Sequence, residues 1–293
     1  MTPAGLLDPT ALDPTTLDLP GLEDVARRVV LEAGRLVVDE RPAELGVAAK
    51  SSATDPVTVM DQRSQELVLR RLAGLRPDDG VLGEEEGGRR GTSGVTWVVD
   101  PIDGTVNYLY DIPTYAVSLA AVVGDPTTPG AWQPVAGAVL SAATGELFHA
   151  HLGGGARLTT GGATRGLRVT GADDLAVALV GTGFGYDADL RRRQAALLAE
   201  LLPQVRDIRR MGSAALDLCF LAAGRLDAYY ETALNAWDRA AGELVAREAG
   251  AVVGGPADEV ATRDLTWACG PALVGSFADL VRELTARHVT TPG

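Results

Sequence analysis

Apolar positions along the chain switch between two spacings, and the switches mark out its elements. Leu22, Val25, Val29, Ala33, Leu36 and Val37 recur at three- and four-residue intervals, which predicts a helix over 21–40. A second helical stretch is expected from Asp61 to Leu75, with Leu67, Val68 and Leu72 on one face. Trp97-Val98-Val99 then reads as a buried strand ending at Asp100, because Pro101 cannot donate to a central ladder. Residues 115–123, 135–141 and 145–150 predict three strands joined as hairpins. The connection Gly124–Pro134, rich in Pro, Thr and Gly, predicts a surface excursion.

Farther on the pattern alternates. Strands are expected near 177–182, 226–231, 251–253 and 267–274, with helices near 188–202, 213–223, 237–249 and 277–287. That alternation predicts a layered α/β fold. The glycine-rich stretch Gly153–Gly166 marks a boundary. The expected division is a mobile N-terminal tail over 1–20, an α+β part over 21–160 and an α/β part over 161–293.

Composition narrows the function. A net charge of −13 offers no basic field for nucleic acid, although a local site or a bound cation still allows a small anionic substrate. Cys219 and Cys269 stand far apart and outside any CxxC pattern, so neither a disulfide framework nor a thiolate zinc site is expected. The three histidines, His149, His151 and His288, form no readable motif, which disfavours a histidine base. With no long apolar run and no basic-then-apolar N-terminus, no membrane span is expected and the cytoplasm is the expected compartment. Lys50 is the sole lysine in an arginine-rich chain, as GC-rich codons would produce.

The candidate chemistry lies in Asp100-Pro101-Ile102-Asp103-Gly104-Thr105. Pro101 and Gly104 force a tight backbone path that can aim two carboxylates and the Ile102 carbonyl at one point. Such hard oxygens suit Mg²⁺, and the Gly104 and Thr105 amides can face a phosphate. Asp-Pro-x-Asp-Gly alone is also ordinary turn chemistry. Glu84 and Glu85 alone would be a solvated acidic turn. Asp61 and Asp238, each at a helix start, would be capping residues.

The longer run Trp97 to Tyr108 resembles the first signature of the inositol monophosphatase family, and Trp237 to Gly250 its second. Lys50-Ser51-Ser52 with Asp55, Val57, Thr58 and Asp61, and also Gly83-Glu84-Glu85, match upstream. The resemblance runs from about Leu22 onward and leaves out the tail and the Gly124–Pro134 excursion. Tyr108 stands where Phe is commoner, and Ala251 where glycine is usual.

This resemblance implies an αβαβα sandwich of the inositol monophosphatase and fructose-1,6-bisphosphatase type, usually dimeric. It implies two to three Mg²⁺ ions, with Glu84 as a ligand, Asp100 bridging two ions and the Ile102 carbonyl completing the first site. Asp103 and Asp238 complete the second. Asp61 and Thr105 would orient and activate the attacking water, and Lys50 would pair with a carboxylate or order the loop to Asp55. Asp103, Gly104, Thr105, Arg209, Ala214, Glu231 and Asp238 would contact substrate, Glu231 through ring hydroxyls; an arginine of the 209–210 pair could instead serve a dimer interface. The implied activity is Mg²⁺-dependent, lithium-sensitive hydrolysis of a small phosphorylated polyol, foremost inositol 1-phosphate, by direct in-line attack. The same machinery could act on histidinol phosphate, fructose 1,6-bisphosphate or 3′-phosphoadenosine 5′-phosphate. A regulatory partner-binding role is the alternative from another class.

Overall fold

The computed structural model describes residues 13–45, 47–49, 56–257 and 260–289. Residues 1–12 of the expected tail, Lys50 and Asp55 lie outside them. The first helix, α1 (Leu19–Asp39), starts where the Asp18 side chain accepts the Gly21 N–H. It buries the stripe Leu22, Ala26, Val29, Val30, Ala33 and Val37. A short hairpin, β1 (Val47–Ala49) and β2 (Pro56–Thr58), leads into α2 (Val59–Leu75).

Seven strands then form one sheet in sequence order: β3 (Gly80–Gly83), β4 (Val95–Asp103), β5 (Ala116–Gly124), β6 (Trp132–Ser141), β7 (Glu146–His151), β8 (Arg157–Thr160) and β9 (Ala163–Gly166). Only β3 and β4 run parallel; the other neighbours are antiparallel. A single turn of helix, α3 (Thr105–Leu109), follows β4.

The remaining elements are β10 (Leu179–Thr182), α4 (Ala188–Leu201), β11 (Asp207–Arg209), α5 (Ala214–Ala222), β12 (Ala228–Glu231), α6 (Ala236–Glu248), β13 (Val252–Gly254), β14 (Thr266–Cys269) and α7 (Asp279–His288). Their strands form a second, mixed sheet in the order β11-β10-β12-β14-β13.

Side-chain alternation along β5 shows how the layers stack. Val117, Leu119, Ala121 and Val123 pack against α1 and α2, whereas Ala116, Ala120 and Val122 pack against α5 and α6. Both faces are covered, so the strand reads as a nearly unbroken apolar run. The far side of α5 and α6 meets the second sheet through Leu218, Leu221, Tyr229, Ala246 and Ala268. Helices α4 and α7 close the other face of that sheet, with Leu197, Leu201, Val281 and Leu284 against Val180, Tyr230 and Trp267. The result is the expected αβαβα sandwich.

Three local expectations need correction. Pro101 does not end its strand: β4 continues to Asp103, and the register with β5 shifts between Asp100 and Asp103. Pro101 and Ile102 fall in that bulge, where no ladder donor is required. The glycine-rich stretch carries the hairpin of β8 and β9, and strand β11 lies where no element was expected. No described helix is long and apolar enough to cross a membrane.

Candidate active site

The β4 bulge decides where the acids go. Backbone that would have continued a flat ladder instead bends, and the Ile102 N–H folds back to Asp100 Oδ1 at 3.1 Å. Gly104 ends the bend at φ +95°, a left-handed conformation. A Cβ there would also come within 2.9 Å of the Thr114 carbonyl oxygen and 3.0 Å of that of Gly212. Glycine is therefore required for both reasons.

Asp103, at the end of the strand, is gripped from α5. Ser213 donates its hydroxyl to Asp103 Oδ2 at 2.6 Å, and the Ala215 N–H donates to the same oxygen at 2.7 Å. Asp238 lies in the first turn of α6, where its Oδ2 accepts the Asn235 N–H at 2.6 Å in a capping box. Glu84, just past β3, is placed by its own N–H donating to the Val99 carbonyl on β4 at 3.1 Å. Parallel pairing of β3 with β4 thus carries Glu84 to the level of Asp100.

These acids repel one another in a confined space. Burial, reinforced by the charges of Glu84, Asp103 and Asp238, pushes Asp100 well above the usual carboxylate range. Burial, with Glu84 and Asp103 nearby, does the same to Asp238. Burial raises Asp103 to about 6, held there by its hydrogen bonds to Ser213, Ala215 and Ala214. A divalent cation fits such a donor set: it supplies the positive charge that four clustered carboxylates lack. Oδ2 of Asp103 and Oδ2 of Asp238 are engaged by the protein. As placed, no group of three acidic, histidine or cysteine side chains among the described residues is close enough to hold a metal ion, so a cation would have to draw these acids together.

Thr105 opens α3 and is buried. Its Oγ1 lies 3.1 Å from Asp61 Oδ1 and 3.0 Å from the Ile102 carbonyl oxygen. One hydroxyl proton serves only one of them at a time, so the oxygen keeps acceptor capacity. Asp61 is fully buried and is not an N-cap. Thr58 caps α2, and Asp61 Oδ2 accepts from the Thr58 N–H at 2.8 Å and its hydroxyl at 2.6 Å.

A cleft of about 280 Å³ opens in front of this group. Glu84, Asp103, Gly104, Ala214, Glu231 and Asp238 line it, while Asp61, Asp100, Ile102 and Thr105 are not among the residues that do. Glu231 ends β12, and Tyr229 donates its hydroxyl to Glu231 Oε2 at 2.6 Å. Burial, only partly offset by that hydrogen bond, raises Glu231 to about 7. Arg209 is exposed, pairs with Asp207 at 2.6 Å and does not line the cleft. Its neighbour Arg210 does.

Sequence reasoning offered Arg210 only a place at a dimer interface, and assigned no role to Ser213 or to the wall from Gly183 to Asp187. The wall follows directly on β10, and its Gly-x-Gly was the one available signal. Asp217, 1% exposed on α5, was also missed. Its Oδ1 has no hydrogen-bond partner, and burial beside Glu231 and Asp103 drives its carboxyl strongly upward.

Residues 18–289 match the inositol monophosphatase family. The chain belongs to that family. Its members are metal-dependent, as the clustered acids require. The inositol-1-monophosphatase SuhB of Mycobacterium tuberculosis (strain H37Rv) is 50% identical over 247 residues, covering 79% of this chain and 83% of the relative. The inositol-1-monophosphatase of Mycobacterium leprae is 53% identical over 212 residues, covering 71% of this chain and 70% of that one. The Nus factor SuhB of Pasteurella multocida is 38% identical over 235 residues, covering 78% and 83%. Among solved structures, M. tuberculosis SuhB superposes with a TM-score of 0.76 at 46% identity, covering 90% of this chain and 97% of its own. An inositol monophosphatase from Anabaena gives 0.73 at 26% identity, covering 94% and 98%.

Proposed function

We propose that this protein hydrolyses inositol 1-phosphate to inositol and phosphate, with Mg²⁺ held by Glu84, Asp100, the Ile102 carbonyl, Asp103 and Asp238. The observation that carries this reading is the cluster of Glu84, Asp100, Asp103 and Asp238 beside a cleft that Glu231 also lines. When bound, two to three Mg²⁺ ions would neutralise the phosphate and make hydroxide accessible near neutral pH.

The protein's own residues supply orientation. Thr105 Oγ1, donating its proton to Asp61, is left to accept one from water and so to aim that water at phosphorus. Amides at Gly104 and Thr105 favour negative charge as it develops on the phosphate. Glu231 accepts hydrogen bonds from ring hydroxyls, and Ala214 leaves room for the ring. Arg210, which lines the cleft, takes the substrate-facing place first expected of Arg209. A homodimer and a lithium-sensitive activity complete the reading; the substrate is a small polyol phosphate rather than nucleic acid.

The test is phosphate release from inositol 1-phosphate, histidinol phosphate, fructose 1,6-bisphosphate and 3′-phosphoadenosine 5′-phosphate, with Mg²⁺ and with EDTA. Highest kcat/KM on inositol 1-phosphate is expected, with loss of activity in EDTA and in Asp103→Asn. A clear preference for another ester sinks the substrate assignment. Full activity of Asp103→Asn sinks the ligand assignment.

A further inference from the structure

The wall from Gly183 to Asp187 reaches the cleft as a segment of its own, between β10 and α4. Gly183 lies directly against Glu231: a Cβ there would stand 2.0–2.2 Å from the atoms of the Glu231 carboxylate. Glycines at 183 and 185 allow that approach but leave the segment wide backbone freedom, so something else must fix it.

The fastening comes from α4. Asp187 caps that helix by accepting the Leu190 N–H at 2.7 Å. Arg191 donates to the Tyr186 carbonyl at 2.7 Å and to the Gly185 carbonyl at 3.2 Å. Gln194, 5% exposed, accepts the Gly185 N–H on Oε1 at 3.0 Å. Its Nε2 donates to the Thr232 hydroxyl oxygen at 2.8 Å. One buried amide thus spans from the wall to the residue after Glu231. The turn that follows is strained: Ala233 sits at φ +72°, left-handed for a residue with a Cβ, and its N–H donates to the Arg263 carbonyl at 2.6 Å. Thr232 and Ala233 line the cleft, whereas Gln194 stands outside the lining.

We infer that Gln194 is a positioning residue that fixes the wall relative to Glu231 and so sets how tightly the cleft grips the ring of a polyol phosphate. The inference rests on the phosphatase reading above and deepens its account of substrate choice. Among the described residues the Gln194 side chain bonds to Gly185 and Thr232, and to none of the acids proposed to hold Mg²⁺. Its removal therefore acts on the alcohol end of the substrate and spares the phosphate end. Binding groups work only when held within about 0.5 Å of their productive place, and a glycine-flanked segment needs a bridge to be held so closely. Gln194→Met keeps the side chain's reach and approximate volume while removing both bonds.

The experiment measures phosphate release by the full chain with Mg²⁺ on inositol 1-phosphate and on propyl phosphate, which lacks the ring. Because both esters are measured in the same variant, a general loss of activity cancels in the ratio of their kcat/KM values. In Gln194→Met that ratio should fall about tenfold, through a higher KM for inositol 1-phosphate rather than a lower kcat. Thr232→Val cuts the bridge from its other end and should lower the ratio too; it carries the test alone if the methionine variant does not fold. The double variant should lose no more than the larger single loss. An unchanged ratio in Gln194→Met, with stability lowered or both esters slowed alike, overturns the inference, because the amide would then serve the fold or the phosphate end. Losses that add in the double variant overturn the link through Thr232. Phosphate release from neither ester by the unaltered protein overturns the phosphatase reading itself, a result distinct from any of these.

Discussion

Replacing Thr105 with valine isolates the water-orienting group from the acids around it. The side chain keeps its volume and loses one hydroxyl. In the fold that hydroxyl bridges Asp61 Oδ1 at 3.1 Å and the Ile102 carbonyl at 3.0 Å, both in buried surroundings. Stranding a buried acceptor costs about 1–3 kcal/mol, so urea unfolding should shift by that amount and no more. The kinetic loss should be larger. A positioned proton acceptor contributes about a hundredfold to ten-thousandfold, and it acts on the chemical step, so kcat rather than KM should fall. The assay is steady-state phosphate release from inositol 1-phosphate over a Mg²⁺ titration, with unfolding followed in parallel. Thr105→Ser restores the hydroxyl and should recover most of kcat. A valine variant within about threefold of the parent kcat would falsify the role given to Thr105. So would a serine variant as slow as valine, since the loss would then come from packing.

Three further outcomes follow from the ionisation of particular acids. Glu231, raised to about 7 chiefly by burial, is ionised only above that pH. The kcat/KM for inositol 1-phosphate relative to a plain alkyl phosphate should rise with pH through about 7, and Glu231→Gln should flatten that ratio. Burial would raise Glu23, but hydrogen bonds from His149 and His151 outweigh it and pull it to about 2. A depressed carboxyl stabilises the fold above its ordinary range and loses that contribution as pH falls from about 4.5 toward 2. Glu23→Gln should therefore lower thermal stability at pH 7 by more than at pH 3; equal losses at both would refute the sign. Asp100 and Asp238 are pushed upward by burial and by their neighbours' charges, so both carry protons where free carboxylates would not. Mg²⁺ binding should release protons and tighten as pH rises. Calorimetry in two buffers of different ionisation enthalpy checks this, and equal heats in both would contradict it.

Long periodic segments were readable in the sequence because their signal is local. Helix α1 and strands β5 to β7 were found within a few residues of their observed ends. Pro101 misled because the rule for central strands assumes an unbroken ladder, and the β4 bulge removes that assumption. Strand β11 is three residues long and largely exposed, too short for any periodicity to register. The hairpin of β8 and β9 hid in a glycine-rich stretch that composition assigns to a boundary. The acids themselves were nameable from their motifs, yet their partners were not. Ser213 grips Asp103 across 110 positions, a pairing that no local pattern encodes. Arg209 and Arg210 are chemically identical neighbours, and only the backbone path toward Gly212 decides which one enters the cleft.

The same layering that buries the core also creates the electrostatic problem on which the site depends. Asp100 and Asp103 come from the bulged strand of the first sheet, Asp238 from the helical layer between the sheets, and Glu231 from the second sheet. Each layer is held by its own apolar contacts, so no acid can retreat without breaking packing elsewhere. The protein relieves Asp103 most, with three hydrogen-bond donors, whereas Asp100 and Asp238, with one backbone donor each, stay strongly shifted upward. That asymmetry is costly to a fold and useful to a catalyst. Acids that cannot separate and are not internally neutralised have their charge completed only by what binds between them, and a cation with a phosphate is the pair whose charges do so.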